Sequence, residues 1–264
     1  MNLQKIIEQA NEAVLRTGIF IREQAQQIHA IEIEEKELNS LVSFVDKTAE
    51  MQLVESFQHI TPGCGFLTEE NTIRIEGKEV EWIIDPLDGT TNFLYGIPAF
   101  SISIGLRVNE KLVGGIIYEV SGNELFYAYA NGGAFLNNKP IAVSERKILK
   151  HCLLATGFPY YDFSGMDNYL NALKELMRGS RGLRRIGSAA IDLAYVACGR
   201  FDGFFEYSLN PWDVAGGAVI IQEAGGLVTD FSGGDDFLFG KEIIASNQLI
   251  HNELEQILNQ NFKS

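Results

Sequence analysis

Apolar positions recur every three to four residues at the start of the chain. Leu3, Ile6, Ile7, Ala10, Val14 and Ile21 fall near one face and predict a helix over 3–21. The same period returns in Val45, Ala49, Leu53, Val54, Phe57 and Ile60, predicting a second helix from Asp46 to His59 that "TPG" at 61–63 stops. Between them "IEIEEKE" alternates but is crowded with charge, which suits an exposed edge or a loop. From 64 to 143 the segments "GFLTEE", "VEWIID", "FSISIGLRV", "KLVGGIIYEV" and "ELFYAYA" are short, rich in β-branched or aromatic residues, and divided by Asn, Gly and Glu turns. Connections this short predict an antiparallel meander.

Beyond about residue 145 strands alternate with helices. "CLLATG" precedes the helix "MDNYLNALKELMRG", "GLRRIG" precedes "SAAIDLAYVACG", and "FDGFFEY", read as core, precedes "WDVAGGAVIIQEAGG". "GLVTD" and "EIIAS" lead to a last helix with Leu249, Ile250, Leu254, Ile257 and Leu258 inward. The fold class is therefore mixed, α+β grading into α/β, with helices packed between sheets. A seam near Ser144–Lys150 divides N-terminal helices plus an antiparallel sheet (1–145) from an α/β half (146–264), the two together forming one compact catalytic unit.

At 264 residues, 46% apolar and 21% charged, the chain buries a substantial core and has the balance of a soluble globular protein. No apolar run approaches the ~20 residues of a membrane-spanning helix. The start does not read as a secretory signal, so cytoplasmic residence is the expectation. Cys64, Cys152 and Cys198 are far apart, without C-x-x-C or a histidine partner, which argues against a zinc site or a disulfide framework and for buried reduced thiols. Thirty-five acids against 21 bases give a formal charge of −14, which disfavours binding to nucleic acid or anionic lipid.

Within that acidity a few carboxylates stand at element ends. In "IIDPLDGTTNF" (83–93) an apolar strand delivers Asp85, Pro86 removes a donor and favours extended geometry before it, and Gly89 permits a sharp turn. A simple turn and a cation site both explain Asp85 and Asp88, with the Leu87 carbonyl between them. Glu69 and Glu70 at the end of "FLTEEN", and Asp213 where "NPWDVAGGAV" starts a helix, shift the balance toward a shared site. Taken singly, they read as a solvated strand end and an N-cap. Oxygen ligands alone favour Mg²⁺, Mn²⁺ or Ca²⁺. The backbone N–H groups of Gly89 and Thr90 add a cradle for an anion, and cation plus anion sites together equip a protein for phosphate chemistry.

At these residues the chain resembles the inositol monophosphatase family. "WIIDPLDGTTNF" (82–93) matches the family pattern W-x-x-D-P-[IL]-D-G-T-[TS]-N-F, and "WDVAGGAVIIQEAGG" (212–226) matches W-D-x-x-[AG]-G followed by E-A-G-G. The glutamate pair and "LVSFVDK" (41–47) fall in register, so the likeness spans nearly the whole chain. It implies a layered α-β-α-β-α sandwich of the sugar phosphatase type. It also implies Mg²⁺-dependent hydrolysis of a small phosphate monoester, inositol monophosphate being the leading substrate, with two or three ions per site. By that likeness Glu69, Asp85, Asp88, Asp213 and the Leu87 carbonyl match metal ligands. Thr90 and Asp46, with Glu69, match the groups that act on the attacking water. Asp88, Gly89, Thr90, Gly187, Ser188, Ala189 and Glu206 match substrate contacts. A homodimer and lithium sensitivity are further implications. The family lysine is one residue out of register, as Lys36 or its neighbours, and "SLVS" stands for "DLVT".

No histidine accompanies these motifs and no cysteine or serine has a base beside it, so direct attack by water on phosphorus is expected rather than a phosphoenzyme. The competing substrates are fructose 1,6-bisphosphate, for which Arg184 or Arg185 would clamp a second phosphate, and 3′-phosphoadenosine nucleotides. "GTTNF" argues against the nucleotides, and Glu206 favours a polyol. Arg184 and Arg185 read more simply as a subunit or strand-edge ion pair, and "FSGGDDFLFG" (231–240) as a solvated turn. A non-catalytic metal-binding regulator is the other class of function, which retention of Thr90 disfavours.

Overall fold

The computed structural model describes residues 1–27, 33–37, 40–72, 75, 79–160 and 162–262. Helix α1 (Leu3–Ala25) is followed by strands β1 (Ile33–Glu37) and β2 (Ser40–Ser43), then helix α2 (Phe44–Ile60). Strands β3 (Gly65–Thr68) and β4 (Val80–Asp88) flank the residues between them, and a short helix α3 (Thr90–Leu94) follows. Strands β5 (Ser101–Val108), β6 (Lys111–Glu119), β7 (Glu124–Tyr129), β8 (Gly133–Leu136) and β9 (Lys139–Ile141) complete the first half. The second half runs β10 (Leu153–Thr156), α4 (Met166–Gly179), β11 (Gly182–Arg184), α5 (Ala189–Ala197), β12 (Gly203–Tyr207), α6 (Pro211–Glu223), β13 (Gly226–Thr229), β14 (Glu242–Asn247) and α7 (His251–Phe262).

Two large sheets divide the molecule into layers. Strands β3 to β9 form one in sequence order, and the other has the order β11-β10-β12-β14-β13. Helices α1 and α2 cover the outer face of the first sheet, α5 and α6 lie between the sheets, and α4 and α7 cover the second. Three apolar clusters fill the intervals between layers: one beneath α1 and α2, one around α5 and α6 that reaches both sheets, and one beneath α4 and α7. This is the layered α-β-α-β-α sandwich. Phe204, Phe205 and Tyr207 of "FDGFFEY" are core, as expected.

Several expectations need correction. Of the two readings of "IEIEEKE", edge or loop, Ile33–Glu37 is a strand: it pairs antiparallel with β2 as a separate two-stranded sheet, in which each strand is an edge. Lys36 falls in β1, where only the backbone is described. The meander is antiparallel from β4 onward, but β3 pairs with β4 in parallel. Strands β8 and β9 are too short to have shown a period. Leu249 is half exposed and precedes the last helix, whereas Ile250, Leu254 and Leu258 are buried. Cys64, Cys152 and Cys198 are free thiols, the first two buried and the third half-buried.

The strand period decides what the middle layer can approach. On β5, Ile102, Ile104 and Leu106 enter the core beneath α1 and α2, leaving Ser101, Ser103 and Gly105 on the other face. Ser103 donates to the Trp212 carbonyl at 3.0 Å, and a Cβ on Gly105 would stand 2.5 Å from the Ala215 Cβ. On β6, a Cβ on Gly115 would collide with the Gly216 carbonyl oxygen. Small residues therefore let α6 lie directly on the sheet, and that seating places its first turn.

Candidate active site

Strand β4 runs through Asp88 rather than bending after Asp85. Asp85 pairs with Ser103 of β5 and Asp88 with Ser101, so three steps on β4 oppose two on β5: a β-bulge at Pro86 and Leu87. An unbroken strand would send residues i and i+3 to opposite faces. The bulge restores them to one face, and proline is tolerated there because its position needs no ladder donor. Asp85 Oδ1 accepts from the Leu87 N–H at 2.9 Å, which locks the bulge. Gly89 then adopts φ +88°, and a Cβ there would stand 2.9 Å from the Ala99 carbonyl oxygen.

Asp88 is held from the second half of the chain. Its Oδ2 accepts the Ser188 hydroxyl and, at 2.8 Å, the Ala190 N–H, while Ser188 caps α5 by accepting from Ile191 N–H at 3.2 Å. The Asn92 amide, on α3, donates to the carbonyls of Ala99 and Ile186 at 2.8 and 3.0 Å, tying the two halves beside the site. Asp213 is not the N-cap. Asn210 holds that place, and Asp213, three residues on, accepts the Asn210 N–H at 2.7 Å. Glu69 follows β3 on a loop organised by buried Glu50 of α2, which accepts from Thr68, Glu70 N–H and Thr72 at 2.6–3.0 Å. No sequence signal marked Glu50 beyond its being an acid inside an apolar helix pattern.

One carboxylate oxygen from each of Asp85, Asp88 and Asp213 lies within 4.8 Å of the others. Glu69 stands outside that tight group but lines the same cleft, of about 140 Å³. Leu87, Gly89, Thr90, Gly187, Ser188, Ala189 and Glu206 line it too. The Thr90 hydroxyl donates to the Leu87 carbonyl at 2.9 Å. Asp46 is buried in the first turn of α2 and is not among the residues lining the cleft. Arg185 lines the cleft, donates to the Tyr160 hydroxyl and lies 5.5 Å from the Phe158 ring. Exposed Arg184 turns to the Leu183 carbonyl at 2.9 Å, so the adjacent pair does not act as one clamp.

The electrostatics match a cation site. Burial first, and then the charges of Glu69, Asp88 and Asp213, raise the Asp85 carboxyl well above its ordinary value of 3.8. Asp213 is raised well above that value by burial, Asp88 and Glu69, against hydrogen bonds from Asn210. Asp88 is raised by burial, against hydrogen bonds led by Ser188 and Ala190. None of these three acids is ion-paired to a lysine or arginine among the described residues. Clustered carboxylates without a counter-ion, all oxygen donors, suit a hard divalent cation.

A consequence for stability follows from the sign of these shifts. Folding raises the pKa values, so the site's contribution to stability is complete below the ordinary carboxylate value of 3.8 and is lost as pH rises through the raised folded values. Mg²⁺ is expected to raise the melting temperature, and by more at about pH 8 than at about pH 5 as the carboxylates release their protons. Thermal melts with EDTA or Mg²⁺ at both values check this. No Mg²⁺ effect at either pH would remove the ion from the site.

Sequence reasoning missed Asp192, Tyr160, Gly157, Ser208 and Asn210, which also line the cleft. Asp192 had a visible signal: it is the one charge in the apolar helix "AAIDLAYVA".

The inositol monophosphatase family model matches residues 2–263. The Nus factor SuhB of Pseudomonas aeruginosa is 39% identical over 93% of this chain and 92% of that protein. The inositol-1-monophosphatase of Mesorhizobium japonicum is 38% identical over 92% of this chain and 92% of that protein. Among solved structures, the extragenic suppressor protein suhB from Bartonella henselae superposes with a TM-score of 0.92 at 39% identity, covering 98% of this chain and 99% of that one.

Proposed function

This chain belongs to the inositol monophosphatase family, a family of phosphatases, and we propose that it hydrolyses inositol monophosphate with Mg²⁺ as cofactor. The observation that carries the reading is the convergence of Asp85, Asp88 and Asp213 within 4.8 Å at a polar cleft. Relatives named inositol-1-monophosphatase support the substrate.

In this reading Glu69, Asp85, Asp88, Asp213 and the Leu87 carbonyl hold two or three Mg²⁺ ions. Bound there, Mg²⁺ supplies neutralisation of phosphoryl charge and acidification of water. Thr90, its proton already given to Leu87 O, presents lone pairs that orient the attacking water. Glu69, at the cleft, takes the proton it releases, and Asp46, which does not line the cleft, would act only from behind the residues that do. The N–H groups of Gly89 and Thr90 bind phosphate oxygens locally, since α3 at five residues is too short to contribute a dipole. Gly187, Ser188, Ala189 and Glu206 face the polyol. Positioning and charge neutralisation supply most of the rate.

A phosphate-release assay with Mg²⁺ tests this across myo-inositol 1-phosphate, fructose 1,6-bisphosphate and 3′-phosphoadenosine 5′-phosphate. The expected result is turnover highest with the inositol ester and abolished by EDTA. Release from none of the three would sink the proposal. Release highest from the bisphosphate would move the assignment to a fructose-1,6-bisphosphatase or a broad sugar phosphatase.

The relatives named Nus factor SuhB favour a second reading, in which this chain also serves as a Nus factor. A formal charge of −14 opposes contact with a phosphate backbone, so such a role would run through protein partners.

A further inference from the structure

We infer that Asp192 is a substrate-binding residue that accepts a hydrogen bond from a free hydroxyl of the substrate, so that the cleft selects a neutral polyol ring carrying a single phosphate. The inference rests on the phosphatase reading above and narrows its substrate.

Asp192 lies one turn into α5 and is 1% exposed, yet it lines the cleft. Its Oδ1 has no hydrogen-bond partner among the described residues. Buried carboxylates normally have their lone pairs met by donors, and an acceptor left open in a polar cleft marks where a ligand's donor belongs. The neighbours say which donor. The charge of Asp88 reaches Asp192 from one side, and Asp192 in turn acts on Glu206. Asp192 therefore shares the cleft with both the cation cluster, where the phosphate binds, and Glu206.

Glu206 is buried against Gly157, where any Cβ would collide with its carboxylate. That end of the cleft thus presents two buried carboxyl groups, which burial pushes well above their ordinary range. A second phosphate there would add negative charge beside two acids. Arg185 is the cation that offsets both acids electrostatically, but its hydrogen bond goes to Tyr160 and its guanidinium stacks near Phe158. A further metal ion is not favoured either, because among the described residues the acids close enough to share one are Asp85, Asp88 and Asp213. A polyol hydroxyl, neutral and able to donate, satisfies Asp192 without adding charge.

The test compares kcat and KM for myo-inositol 1-phosphate and for cyclohexyl phosphate, the same ring without hydroxyls, in wild type and Asp192→Asn. Wild type is expected to prefer the inositol ester by a hundredfold or more in kcat/KM. Asn at this position turns half its capacity into a donor, so the preference should fall tenfold or more, chiefly through KM. A loss in equal proportion for both esters would mean a structural or purely electrostatic role and overturn the inference, as would an unchanged preference. If that variant does not fold, Asp192→Ala, which removes the acceptor, carries the same comparison, and equal hydrolysis of both esters by wild type overturns hydroxyl recognition while leaving the phosphatase reading intact. Hydrolysis of neither ester sinks that reading and this inference with it.

Discussion

Asp88→Asn is expected to cut turnover to about a thousandth or less while the protein stays folded, a loss of roughly 4 kcal/mol in transition-state stabilisation. The folding half of this expectation comes from the bracket around the side chain. Asp88 Oδ2 accepts both the Ser188 hydroxyl and the Ala190 N–H, and the carbonyl oxygen of asparagine can accept the same two donors. Its amide nitrogen must then take the place of the other oxygen, at a site where Asp85 and Asp213 each place an oxygen within 4.8 Å of one from Asp88. A donor cannot ligate a cation. Neutralising one of three clustered acids, one buried and two half-buried, also relieves repulsion, so the variant without divalent ions should melt no lower than wild type. Phosphate release and thermal melts measured on the same preparations check both parts. Wild-type turnover would take Asp88 out of the site.

Gly115→Ala is expected to destabilise the protein by about 3 kcal/mol or more, and to weaken Mg²⁺ binding in whatever remains folded. The added methyl on β6 would collide with the Gly216 carbonyl of α6. Backbone cannot rotate away as a side chain can. Relief requires lifting α6 from the sheet, against Gly105 and Ala215, already close enough that a Cβ on Gly105 would stand 2.5 Å from that of Ala215. Lifting α6 moves its first turn, and Asp213 with it, away from Asp85 and Asp88. Chemical denaturation gives the first quantity and the Mg²⁺-induced shift in melting temperature the second. A variant with wild-type stability would show that α6 is not seated by this contact, and with it the link between packing and ligand geometry would fail.

Much of this was legible in the residues. The 3.6-residue period of α1 and α2 and the switch to short β-branched segments are local properties, governed by which face each residue must bury. Glu69, Asp85, Asp88 and Asp213 stood out because acids at element ends need a reason, and the cleft contains all four. What was misread was set by distant partners. The pair Asp85 and Asp88 looked like a tight bend, but the segment is a bulged strand because β5 is there to pair with it. Strand β3 looked like the first leg of a meander, but it lies parallel to β4. Asp192 is the one charge in an apolar helix, but only the packing of α5 brings it to the cleft.

By itself the chain determined its elements, its acidity and the residue types available for chemistry, because propensity, period and charge act over a few neighbours. The three-dimensional packing decided which carboxylates meet. Asp85 and Asp213 are brought together across 128 residues only by α6 lying on a sheet whose glycines and serines admit it. Contacts of that range depend on two surfaces fitting at once, and neither surface is written in either segment alone.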